Sequence, residues 1–112
     1  MGRDIATNQM LADVPEADVV IVNPEHFAVA LKWDRKRGTA PVCVAKGVDE
    51  IAARIRETAT EHGVPIFRDP PTARTLFATV EIGEEVKADL YKAVAAAIRF
   101  ADTMRKRARG AR

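Results

Sequence analysis

The sequence predicts an α/β fold, a small mixed four-stranded sheet packed with about four helices in the order α-β-β-β-α-β-α-α. Short apolar runs bounded by proline and glycine predict the strands. Two longer segments, residues 48–62 and 86–104, repeat apolar residues at three- and four-residue steps, which is typical of amphipathic helices. Because these segments are interspersed with the strand-like runs, we expect the helices to pack against the sheet.

The N-terminal segment predicts a weak helix. Residues 1–13 carry polar side chains with only scattered apolar positions, so this helix has little to pack against. We expect it to end near Val14-Pro15, because the residue before a proline avoids the helical region. Residues 1–16 are therefore interpreted as a connector helix that follows an upstream part.

Three strands are predicted next. Residues 18–22 are apolar on both faces, as in an interior strand, and residues 27–34 place one apolar face opposite a mixed one. The loop 35–40 is basic and contains glycine, and its length suits a hairpin connection. Pro41 then opens a third strand over residues 42–45.

The second half predicts a helix, a strand and two further helices. The first helix ends at Gly63, and residues 64–68 form a short strand. Asp69-Pro70-Pro71 is a helix-start signal, a cap followed by proline, and Ile82-Gly83 breaks the helix that follows it. The buried stripe predicted for the last helix is Leu90, Tyr91, Val94, Ala97, Ile98, Ala101 and Met104.

Composition indicates one soluble domain without a cofactor. The chain has 112 residues, of which 47% are hydrophobic and 30% charged. It shows no signal peptide and no apolar run near the ~20 residues needed to cross a bilayer. The lone Cys43 excludes an internal disulfide and a cysteine-cluster metal site, and its apolar surroundings predict a buried structural thiol. These features indicate the cytosol.

Positive charge gathers at the C-terminus. The basic residues there are Arg99, Arg105, Lys106, Arg107, Arg109 and Arg112. A tail over residues 105–112 could touch membrane lipid, nucleic acid or an acidic partner, but we favour a solvated, frayed end. The rest of the domain is close to neutral, which argues against nucleic-acid binding as the main role.

The tetrapeptide Asn23-Pro24-Glu25-His26 lies between two strand-like runs and carries the candidate chemistry. The simple interpretation is an Asn-Pro turn with a surface histidine. The alternative is backbone cleavage. Pro24 has no N–H, so it cannot drive deamidation, but the Asn23 side-chain amide can attack its own carbonyl carbon and expel Pro24. His26 could transfer the protons, whereas His62 lies at a helix end and is interpreted as a cap.

Several segments, in order, resemble the FlhB/YscU family of type III secretion export-switch proteins. The segments around the corner look like those flanking the family's Asn-Pro-Thr-His motif. The stretches that carry the resemblance are 17–24, 26–33, Ala45-Lys46-Gly47, Gly63-Val64-Pro65, 70–76, Glu81-Ile82-Gly83 and 90–95. The resemblance extends over roughly residues 8–102 and is much more specific than the tetrapeptide.

The resemblance implies self-cleavage between Asn23 and Pro24 and a switch in export specificity from early to late cargo. Fragments 1–23 and 24–112 would stay associated through the sheet. The implied partners are export-gate subunits, secreted substrates and a hook or needle length-control protein, at the cytoplasmic face of the bacterial inner membrane. A membrane part would precede residues 17–104, the export-switch domain. The sequences of the segments that flank the motif favour the flagellar system over the injectisome.

One departure from the family pattern concerns the motif itself. Glu25 stands where the family has threonine, so a hydroxyl role does not carry over. Glu25 could support His26 or act as a base, or it could misplace the turn and slow the cut. An uncleaved module that binds export substrates or the gate subunit is therefore the alternative, with the loop 35–37 as a candidate surface. An unrelated enzyme is disfavoured, because no phosphate loop, metal cluster or Ser-His-Asp set is present.

Overall fold

A computed structural model describes residues 2–110 and confirms the predicted α/β fold and element order. The helices and strands are α1 (Gly2–Ala12), β1 (Val19–Asn23), β2 (Phe27–Lys32), β3 (Val42–Val48), α2 (Asp49–Glu61), β4 (Ile66–Arg68), α3 (Pro70–Thr79) and α4 (Tyr91–Gly110). Single turns of 3-10 helix at Val14–Glu16 and Ala88–Leu90 complete the chain path. Among residues 2–110, no helix combines the length and apolar character needed to span a bilayer.

The four strands form one mixed sheet in the order β3-β2-β1-β4. Strand β1 pairs antiparallel with β2 and parallel with β4, so it is an interior strand, as its continuous apolar sequence predicted. Val19 and Ile21 pack on the face covered by α3 and α4, whereas Val20 and Val22 pack on the face covered by α2. Asn23, which ends this strand, pairs with Phe27 of β2, and the preceding Val22 pairs with both β2 and β4.

Helix α1 packs more than its sequence suggested. Met10 and Leu11 lie against the α2 side of the core, and the Arg54 guanidinium donates a hydrogen bond of 3.1 Å to the Asn8 carboxamide oxygen. The expectation that this helix has little to pack against is therefore wrong for its C-terminal half. Met1 lies outside the described residues. The division into residues 1–16, 17–104 and 105–112 stays a prediction.

The last helix differs from the prediction at both ends. The predicted helix starts at Val86, but α4 begins only at Tyr91, because the Val86 N–H donates a backbone hydrogen bond to the Pro41 carbonyl oxygen and a 3-10 turn at Ala88–Leu90 follows. Helix α4 then continues past Met104 to Gly110, so the basic segment is helical rather than frayed over the described residues; Arg112 lies outside them. Tyr91 and Met104 are exposed, because a 20-residue helix of about 30 Å is longer than the strands beneath it.

A charged cluster joins α4 to the start of β1. The Arg35 guanidinium donates to both Asp102 carboxylate oxygens at 3.0 and 3.1 Å and to Asp18 at 2.9 Å. Arg105 donates to the Asp18 carbonyl oxygen at 2.6 Å. Hydrogen bonding to Arg35 lowers the pKa of Asp102. Arg35, from the loop predicted as a candidate binding surface, is thus engaged within the domain.

We expect Asp18→Asn to lower the free energy of unfolding by about 1–2 kcal/mol, because it weakens charge-assisted hydrogen bonds to a carboxylate that is only 17% exposed. The control is Glu16→Gln. Glu16 pairs with Lys32 at 3.1 Å, but its side chain is 70% exposed, so its loss should stay within about 0.5 kcal/mol. Urea unfolding of both variants in an Asn23→Ala chain, which keeps the backbone intact, provides the comparison. Equal losses would show that the cluster does not stabilise the domain.

Candidate functional site

The corner at Asn23-Pro24 is a tight turn that closes the β1–β2 hairpin. Asn23 is the last residue of β1 and pairs with Phe27, the first residue of β2. The His26 N–H donates a hydrogen bond of 2.8 Å to the Asn23 carbonyl oxygen, which closes a four-residue turn. Proline at the second position suits such a turn because its φ is fixed. Asn23, Pro24, Glu25 and His26 are therefore brought together at the end of a rigid hairpin.

The turn leaves the Asn23-Pro24 peptide bond accessible while holding its carbonyl group. Asn23 and Pro24 are half-buried, and Glu25 and His26 are exposed. The Asn23 carbonyl oxygen already accepts the His26 N–H, so a negative charge that develops on this oxygen has a donor in place. An attack on the Asn23 carbonyl carbon would therefore be assisted by this hydrogen bond.

Asp49, a residue that sequence reasoning did not assign to the site, lies beside His26. The Asp49 carboxylate Oδ1 is 3.6 Å from His26 Nδ1, and the Asp49 N–H donates a hydrogen bond of 2.9 Å to the His26 carbonyl oxygen. Both side chains are exposed, at 72% and 63%. Within the described residues, the acid in ion-pair distance of His26 is thus Asp49. Support of His26 by Glu25 stays a prediction.

Asp49 reaches the corner because β3 is longer than predicted. The sequence predicted that the third strand ends at Ala45, but β3 continues to Val48, where it pairs with Phe27. Asp49 follows directly with a positive φ of 52° and begins α2. The pairing places the N-terminus of α2 next to the turn of the neighbouring hairpin. The sequence could have indicated this contact, because a third strand extended by three residues to Val48 pairs with Phe27 and brings Asp49 next to the turn.

Gly47 allows this close approach of α2 to β3. A Cβ atom added at Gly47 would overlap the Ile51 side chain, lying 2.8 Å from its Cβ and closer still to Cγ2. Only a residue without a side chain fits between the strand and the first turn of the helix.

We expect Gly47→Ala to cost about 1–3 kcal/mol in unfolding free energy, because the added methyl group forces α2 away from the strand. Gly110→Ala is the control, since a Cβ there meets nothing within 4 Å. Urea unfolding in the Asn23→Ala background measures both. Unchanged stability of the Gly47 variant would refute the proposed steric requirement.

The remaining candidate nucleophile and base serve structural roles. Cys43 is fully buried, and burial raises the pKa of its thiol to about 11, so it stays protonated at neutral pH. The His62 Nδ1 lies 2.9 Å from the Thr58 carbonyl oxygen at the end of α2, as expected of a C-terminal cap. Neither residue contributes to the corner.

A separate apolar cleft lies between the β2–β3 loop and α4. Its volume is about 280 Å³. Trp33 and Tyr91 contribute aromatic walls, Ala40 and Ile98 contribute aliphatic ones, and Arg35 and Asp102 contribute charged groups at one side. A cleft of this size suits one or two apolar side chains of a binding partner.

Known proteins resemble the chain in both sequence and structure. The family model described as the FlhB HrpN YscU SpaS family matches residues 1–101. The flagellar biosynthetic protein FlhB of Salmonella typhimurium is 48% identical over 95 residues, which are 85% of this chain and 25% of that protein. The FlhB of Bacillus subtilis is 45% identical over 93 residues, 83% of this chain and 26% of that protein. The chain thus spans about a quarter of the length of these relatives.

Two crystal structures have the same fold. The cytoplasmic domain of FlhB from Shewanella putrefaciens superposes with a TM-score of 0.86 at 41% identity, covering 93% of this chain and 80% of that one. An EscU C-terminal domain with an asparagine-to-alanine substitution gives a TM-score of 0.79 at 26% identity, covering 84% of this chain and 94% of that one. The fold and the family match agree, and the chain belongs to the FlhB/HrpN/YscU/SpaS family.

Proposed function

We propose that this domain is a substrate-specificity switch of type III protein export, and that it cuts its own chain between Asn23 and Pro24. The observation that carries the proposal is the turn in which the Asn23 carbonyl oxygen accepts the His26 N–H at 2.8 Å. We favour the flagellar system over the injectisome, because the relatives of 45–48% identity are flagellar biosynthetic proteins.

The cleavage step requires no water. The Asn23 Nδ2 forms a bond to the Asn23 carbonyl carbon, and the bond from that carbon to the Pro24 nitrogen breaks. One proton leaves Nδ2 and one proton arrives at the Pro24 nitrogen, so the products are a C-terminal succinimide and a free N-terminal proline. His26 is the group we assign to proton transfer, because an imidazole exchanges protons near neutral pH.

The EscU structures support this choice of residues. Crystal structures exist of EscU C-terminal domains substituted at an asparagine, at the proline that follows it, and at a histidine three positions after the asparagine. Asn23, Pro24 and His26 have the same spacing in this chain. The position between proline and histidine is Glu25 here, and because its side chain is exposed, we propose that it is dispensable for the bond rearrangement.

The two fragments should remain one folded domain after the cut. Fragment 1–23 contains β1. The hydrogen bonds that pair β1 with β2 and β4 do not depend on the covalent bond that is cut. It also contains Asp18, which Arg35 and Arg105 of fragment 24–112 bind through its carboxylate and carbonyl groups. Cleavage would therefore change the surface at the corner without dispersing the core.

The export machinery supplies the proposed partners. We propose that the domain contacts export-gate subunits, secreted substrates and a hook or needle length-control protein at the cytoplasmic face of the inner membrane. A membrane part would come from the portion of the longer relatives that this chain does not span, because the chain covers only about a quarter of their length.

A second candidate is an uncleaved module that binds export substrates or the gate subunit. Two observations favour it, namely Glu25 in the motif and the apolar cleft bounded by Trp33 and Tyr91. Such a module would act through its surface alone, and its Asn23-Pro24 bond would stay intact.

Denaturing electrophoresis paired with native gel filtration separates the two candidates. For the switch, the purified protein should give two bands when denatured, the larger one beginning at Pro24, and a single peak under native conditions. A single denatured band after long incubation at neutral pH would reject cleavage and leave the binding module.

A further inference from the structure

We infer that Asp49 is a positioning residue for His26, which holds the imidazole in the tautomer that carries its proton on Nδ1. This inference rests on the proposed self-cleavage and adds a residue to it. With Nδ1 facing the carboxylate, Nε2 is the nitrogen left free to take a proton from the reacting groups and to return one.

Two contacts from different parts of Asp49 reach the same histidine. Its carboxylate Oδ1 is 3.6 Å from Nδ1, which is an ion-pair separation, and rotation of either exposed side chain would bring the two atoms to hydrogen-bond distance. Its N–H donates a hydrogen bond of 2.9 Å to the His26 carbonyl oxygen, and this bond anchors the backbone of the turn. The same turn presents the His26 N–H to the Asn23 carbonyl oxygen. Asp49 thereby contacts both the side chain and the backbone of His26.

The backbone of Asp49 is in an unusual conformation. Its φ of 52° lies in the left-handed region, which few residues other than glycine adopt and which Asp enters more readily than most. Residues other than glycine in this region are held there by the surrounding structure, and they are often found at functional sites. The β2–β3 pairing at Phe27 and Val48 and the tight passage at Gly47 hold Asp49 in this region.

Stabilisation of the helix alone does not account for these contacts. Glu50 is the next residue of the same first turn and supplies an acid to the helix dipole from there. The His26–Asp49 pair is also highly exposed, so it adds little to folding. What the pair provides is orientation of an otherwise mobile imidazole, the role that a carboxylate plays beside histidine in proton-transfer sites.

Asp49→Gly is the decisive variant, because glycine adopts the left-handed conformation without strain and keeps the backbone N–H while it removes the side chain. We expect self-cleavage to slow about 10-fold. This is the lower end of the loss of activity seen when the hydrogen-bond partner of a metal-binding histidine is removed. Asp49→Glu should recover part of the rate. Glu50→Gln is the matched control and should cut like the wild type. An unchanged rate in the Asp49→Gly protein would overturn the inference.

A second measurement does not depend on cleavage. In an Asn23→Ala chain, nitrogen-15 NMR of the His26 ring reports which nitrogen carries the proton. We expect the Nδ1–H tautomer with Asp49 present and a shift toward Nε2–H in Asp49→Gly. The same tautomer in both proteins would refute the inference even if the wild type cuts. An uncut wild type would instead refute the proposed function, and the tautomer shift would still decide the role of Asp49.

Discussion

Asn23→Ala is expected to leave a single chain of 112 residues, with no detectable fragment under denaturing conditions. The substitution removes Nδ2, the only nucleophile in the proposed step, while the backbone turn and the strand pairing of β1 remain. Intact mass and urea unfolding measure the two effects separately. The control is Glu25→Ala, which changes an exposed residue of the same turn and should still cut. Fragments from the Asn23→Ala protein would show that another nucleophile breaks the bond.

His26→Ala is expected to slow the cut by about 100-fold or more, because general acid–base catalysis by a positioned side chain contributes about 10²–10⁴ in rate. The histidine side chain is 63% exposed, so unfolding should be almost unaffected. His62→Ala is the matched control, since His62 caps α2 through Thr58 away from the corner.

Added imidazole gives a second test of the His26 role. It should restore part of the rate to the His26→Ala protein, because the free ring can enter the space that the side chain has left. Equal cutting rates in the wild-type and His26→Ala proteins would remove His26 from the mechanism, and the backbone donor of residue 26 would then be the contribution of this position.

Hydrophobic patterning was sufficient for most of the fold. The continuous apolar run of β1 predicted an interior strand, and Asp69 caps α3 through the Thr72 N–H at 3.4 Å, as its sequence indicated. Gly63 has a φ of 74°, the left-handed conformation expected where α2 ends. These features depend on residues close together in the chain, and local preferences therefore predict them.

Element ends were predicted less well, because specific hydrogen bonds determine them and the apolar pattern does not encode those bonds. The predicted strand 27–34 ends at Lys32, because the Trp33 N–H donates its hydrogen bond to the Asp18 carboxylate and not to a neighbouring strand. Arg35 then has a φ of 67°, which is incompatible with an extended strand. The predicted strand 64–68 begins only at Ile66, because the Val64 N–H closes the end of α2. These hydrogen bonds thus replaced the strand pairing that alternation alone suggested.

The candidate site was found only in part for the same reason. Asn23, Pro24, Glu25 and His26 are consecutive, so the sequence alone placed them together. Asp49 joins them through the register of β3 against β2, and the cleft joins Trp33 to Tyr91 from distant parts of the chain. Such contacts follow from pairing and packing, which periodicity does not specify.

The mass of the denatured wild-type protein tests the central claim most directly. Cyclisation of Asn23 predicts fragment 24–112 together with a fragment 1–23 that is one water lighter than the free acid, or the hydrolysed form that it becomes with time. Direct hydrolysis would give only the free acid from the earliest time point. A single mass for the uncut 112-residue chain would contradict self-cleavage altogether.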